Sequence, residues 1–65
     1  MDKSNLKLLL AKLKTKVRDS SGKIAEDELI SMINVIANAE LELRHNDNGN
    51  TEVLEKEIME FFKEN

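Results

Sequence analysis

From Leu6 onward the apolar residues recur at Leu9, Leu10, Leu13 and Val17, a spacing that gathers side chains on one face of an α-helix. The pattern predicts a first helix over about residues 5–18, with Ser4 or Asn5 as its N-cap. Basic residues flank the stripe, with Lys7, Lys14 and Arg18 on one side and Lys12 and Lys16 on the other. The opposite face carries Leu8, Ala11 and Thr15 and is not strongly polar. The periodicity stops at "DSSGK", Asp19 to Lys23, where Gly22 offers the positive φ that a helix exit commonly uses.

A second helix is predicted over about residues 25–44. With Ala25 at the N-cap, Ile24 and Leu29 take the two positions of a hydrophobic staple, and Glu28 falls at N3 as in a capping box. Glu26, Asp27 and Glu28 put negative charge at the positive end of the helix dipole. Beyond them the apolar residues spread around most of the circumference, leaving Ser31, Asn34, Asn38 and Glu42 as a narrow polar strip. A helix apolar on so many sides must be covered on more than one of them. Two short neighbours from the same chain are too few for that, so the pattern predicts a partner subunit.

"HNDNGN", His45 to Asn50, is a strong turn signal. A third helix follows over about residues 51–63, capped by Asn50 or Thr51 and apolar at Val53, Leu54, Ile58, Phe61 and Phe62. The expected fold is therefore all-α: a single helical domain over residues 1–65, built as a three-helix protomer whose bundle is completed by dimerisation, with the second helix central. The expected dimer or partner interface is Leu29, Met32, Ile33, Ile36, Ala37, Leu41 and Leu43.

Composition strengthens the need for a partner. A chain of 65 residues buries only a modest share of its surface. It has no cysteine for a disulfide, and one histidine, His45, without a thiolate makes a poor structural zinc site. Oligomerisation is the remaining common route to stability. No apolar run approaches the roughly 20 residues that span a bilayer. The stretch "MDKSNLKLLLAKLKTK" places lysines within its apolar part, unlike a signal peptide. The expectation is a cytoplasmic protein.

Charge is segregated along the chain. Residues 1–18 carry six bases against Asp2, a net +5, and residues 19–65 carry four bases against twelve acids, a net −8, giving −3 overall. Such segregation predicts that the basic first helix lies near acidic parts of the second or third helix, or of a partner. Lys7, Lys12, Lys14, Lys16 and Arg18 are also candidate anion-binding residues, for nucleic acid or an anionic lipid surface.

Motifs for chemistry are weak. "DSSGKIAEDEL" resembles the second half of an EF-hand, but the first loop position would be Val17, which has no oxygen ligand. No nucleophile and base are paired by spacing, and the glutamates of the third helix are distributed around it rather than converging. Neither enzymatic activity nor a cofactor is expected.

The order of a leucine-rich helix, the turn "SSGKI", the apolar helix "EDELISMINVIANAELEL", a polar break and the shorter helix "TEVLEKEIMEFF" resembles the small enterobacterial regulators of biofilm formation and acid resistance, also described as two-component-system connector proteins. The likeness covers about residues 9–62 and rests on helix lengths and apolar spacing. It implies a small bacterial protein forming an all-α homodimer that binds signalling proteins, with DNA contact also proposed for that family. The expected function is that of a noncatalytic regulatory or adaptor protein acting through protein–protein interaction, with itself and another protein as partners. The alternative is a nucleic-acid or anionic-surface binder using the basic first helix.

Overall fold

A computed structural model describes residues 3–20, 22–44 and 51–63. The helices are α1 (Ser4–Ser20), α2 (Glu26–Arg44) and α3 (Thr51–Glu60), and each packs against the other two. Their shared core is made by Leu6, Leu10 and Leu13 of α1, Met32 and Ala39 of α2, and Leu54 and Ile58 of α3. Leu9, Val17, Val35, Ile36, Leu43 and Phe61 close its margins, half-buried. The expected leucine stripe of α1 is the side of that helix facing the core.

Helix ends explain the element boundaries. The Leu29 amide donates to the Ala25 carbonyl at 2.9 Å, so Ala25 stands at the N-cap of α2 with no side-chain acceptor of its own. Asp27 supplies one instead, accepting the Glu28 amide at 3.1 Å. Before α2 the chain turns through a bond from the Lys23 amide to the Ser20 carbonyl, 2.8 Å long. Gly22 sits in that turn without a positive φ, contrary to the expectation from sequence, because the bond closes in backbone open to any L residue. At the far end of α3, Phe61, Phe62 and Lys63 each donate to the carbonyl three residues back. This tightening ends the α-helix at Glu60, three residues earlier than its apolar pattern suggests. The expected turn at His45 to Asn50 lies outside the described residues.

α1 and α3 run side by side in the same direction. Near their starts the Asn5 amide nitrogen donates to the Glu55 carboxylate at 3.1 Å, and near their ends Lys16 reaches Phe61. The end of α2 joins this pair through Glu42, which is only 6% exposed. The Glu42 carboxylate lies 3.7 Å from the Lys3 ammonium and 3.5 Å from the Thr51 hydroxyl, and its backbone carbonyl accepts a hydrogen bond from Lys3. Glu42 therefore does not belong to a solvent-facing polar strip. It ties the starts of α1 and α3 to the end of α2, and the Thr51 hydroxyl is turned toward it.

Candidate functional site

The core uses one side of α2 and leaves its back open. Met32 and Ala39 point inward, whereas Ile30, Ile33 and Leu41 remain 52%, 51% and 53% exposed and Ala37 is exposed between them. At 3.6 residues per turn the outer group is rotated by about 155° from the core-facing one. Two neighbouring helices cover only the inner arc, and the apolar circumference of α2 exceeds it. Isolated exposed apolar residues are ordinary, but a contiguous row of them along one helix is informative. The row runs Ile30, Ile33, Ala37, Leu41, with Glu26 and Arg44 exposed on the same side at its two ends.

The expected interface residues separate into three groups. Ile33, Ala37 and Leu41 stand on this outer row. Leu29, Ile36 and Leu43 are half-buried, and Ile36 and Leu43 pack against the core. Met32 has no exposed surface and is a core residue of the protomer, out of reach of any partner while α2 stays docked. Ile30 completes the row and was not among the expected residues. Its signal in the sequence is the alternating step of four and three residues, 26, 30, 33, 37, 40 and 44, which is the seam period of a coiled coil.

Much of the positive charge of α1 is engaged within the protomer. The Lys14 ammonium lies 2.6 Å from the Glu40 carboxylate. The hydrogen bond from Lys14, reinforced by its charge, holds the Glu40 carboxyl below the ordinary glutamate range, with partial desolvation opposing and Arg44 assisting. Lys16 donates to the Phe61 carbonyl and stands 5.0 Å from the centre of the Phe62 ring, so it caps the negative end of α3 and makes a cation–π contact. Arg18 is 3.5 Å from Asp19, in an exposed pair. Lys7 and Lys12 are exposed and have no partner among the described residues. The five basic residues therefore form two rows with unequal freedom rather than one patch.

Shallow hollows flank the helices among the described residues. One, of 430 Å³, is apolar and lies along the outer side of α1, lined by Leu8, Ala11, Thr15 and Phe62 with Lys12 and Lys16 at its edges. Another, of 440 Å³, lies between α2 and α3 and is lined by Ser31, Asn34, Val35, Asn38, Glu57, Glu60 and Phe61. Asn34 and Asn38 are exposed along it. Among the described residues no three histidine, cysteine or acidic side chains are placed to share a metal ion, and no helix is long and apolar enough to cross a membrane. His45 lies outside those residues. The chain matches no protein-family model, no curated protein and no solved structure.

Proposed function

We propose that this chain is a noncatalytic regulatory or adaptor protein of the cytoplasm that acts by protein–protein contact, and that it works as a homodimer joined through the outer row of α2. One observation carries the reading. Ile30, Ile33 and Leu41 are each about half exposed on a single helix face, although the same helix supplies two core residues on its other side. Burying such a row releases apolar surface from water at roughly 25 cal/mol per Å², and among the described residues no helix remains to do it. The charges of α1 support a protein partner over a polyanion, because Lys14 and Lys16 are occupied by α2 and α3.

Ile33→Asp tests the homodimer. A charge there meets water in the protomer but loses it in the dimer, so the variant should remain helical by circular dichroism while light scattering gives the protomer mass. A variant dimer as tight as the native one would refute the assignment. Ile36→Asp should do more, since Ile36 packs against the core, and should lower helicity as well. Exposed Lys7 and Lys12 favour the second reading, contact with nucleic acid or an anionic surface. Filter binding to duplex DNA over a salt series decides it, and absence of salt-sensitive binding at low ionic strength removes it.

A further inference from the structure

We propose that two copies join α2 to α2 in antiparallel sense about a two-fold axis level with Val35, so that Glu26 of each copy meets Arg44 of the other. The proposal rests on the homodimer reading above and adds the orientation and register of the interface. Four observations lead to it. Glu26, Ile30, Ile33, Ala37 and Arg44 share one seam, with Leu41 at its edge. Both end charges are exposed. They are opposite in sign. They stand 18 positions apart, about 27 Å along a helix rising 1.5 Å per residue.

The pattern is self-complementary in only one of the two directions. With a two-fold axis at position 35, residue 26 faces 44, residue 33 faces 37, and residue 30 faces the turn that carries 40 and 41. Ile33 of one copy then lies against Ala37 of the partner subunit on both sides of the axis, a large residue against a small one, which lets the helices approach closely. Ile30 meets the turn of Leu41, where the neighbouring Glu40 carboxylate is already held by Lys14. Both ends close with a Glu26–Arg44 pair. In a parallel, in-register arrangement Glu26 would face Glu26 and Arg44 would face Arg44, placing like charges together at both ends, with isoleucine on isoleucine and alanine on alanine between them. Opposite and like charges at such rim positions differ modestly in energy, but they select orientation. The short seam places the contact among small, reversible interfaces.

The native chain has no cysteine, so single cysteines report the arrangement without background. Glu26→Cys and Arg44→Cys are prepared separately and treated with a short bis-maleimide, alone and as an equimolar mixture, after solution mass has been measured. The mixed dimer keeps one native Glu26–Arg44 pair at its other end. The proposal expects a covalent dimer in the mixture, at least about tenfold more abundant than with either variant alone. Cross-linking of each variant with itself, and not across the mixture, would establish the parallel arrangement and overturn the proposal. If the samples are dimeric by mass but cross-link in no combination, the register is wrong while the homodimer reading stands. If they and the native chain are monomeric at every concentration, the homodimer reading itself fails. As a second arm, Glu26→Arg and Arg44→Glu should each weaken association several-fold, and the doubly reversed chain should recover native affinity. Failure of that recovery counts against the antiparallel ion pairs.

Discussion

Met32 and Ile33 are adjacent, similar in size and both apolar, yet one faces the core and the other is half exposed, and truncating each to alanine separates the core from the proposed interface. Met32 is wholly buried. Removing its side chain beyond Cβ should cost about 2–5 kcal/mol of protomer stability through lost transfer energy and the cavity left behind. A domain of 65 residues at 0.05–0.15 kcal/mol per residue has roughly 3–10 kcal/mol in all, so Met32→Ala should lower the unfolding midpoint severely or leave the chain largely unfolded. Ile33 is 51% exposed. Its truncation should change protomer stability by only about 0.5 kcal/mol, as is usual for surface positions. About half of the 1.5–3 kcal/mol available from full burial of an isoleucine remains to be gained on association, or about 1 kcal/mol per copy. Two-fold symmetry counts it twice, which makes Ile33→Ala weaken the dimer by about 2 kcal/mol, roughly thirtyfold in Kd. Urea unfolding at protomer-only dilution reads the first effect and sedimentation equilibrium the second. Unfolding of Ile33→Ala at a much lower urea midpoint than Met32→Ala would show that the two faces of α2 have been exchanged, and the reasoning would be refuted.

Three further outcomes follow from local geometry. Gly22→Ala should raise stability by about 0.4–1 kcal/mol, because Gly22 lacks a positive φ and an added Cβ meets nothing within 4 Å; a lower urea midpoint would contradict that backbone. Glu42→Ala should cost about 1–3 kcal/mol in the same assay, since it removes a nearly buried carboxylate shared by Lys3 and Thr51. Glu40 titrates below the ordinary value of 4.5 because of Lys14. Its contribution to stability is therefore complete above that value and is lost as pH falls through the lowered one. The pair is partly exposed, with Lys14 at 50% and Glu40 at 41%, so solvent screens it and the contribution to folding is small. Carboxyl-carbon NMR should find the Glu40 pKa raised toward normal in Lys14→Met, and an unchanged titration would mean that the pair does not form.

How much of this was legible in the sequence depended on whether periodicity alone could settle it. The core face of α1 was legible because Leu6, Leu10 and Leu13 repeat on one side and lysines bracket them. The drawing of basic α1 toward acidic α2 was also legible, from charge segregation, and appears as the Lys14–Glu40 pair. α2 was different: a helix apolar nearly all round gives no internal clue to which arc its neighbours cover, so Met32 and Ile33 looked alike. Periodicity alone puts Glu42 on a polar strip for a related reason. Its burial depends on Lys3 and Thr51, which the chain brings to it from 39 and 9 residues away. The early end of α3 is a matter of backbone hydrogen bonding at Phe61 to Lys63, which side-chain pattern does not report. The heptad step from Glu26 to Arg44 stood in the sequence but gained meaning only once the inner arc of α2 was known to be occupied.

Whether a second copy of this chain covers the outer row of α2 is decided by sedimentation equilibrium of the native protein over a wide concentration series. The weight-average mass should rise from the 7.4 kDa of the protomer toward twice that value, with helicity by circular dichroism high across the series. A well-folded species that stays at 7.4 kDa up to the highest concentration would contradict the homodimer.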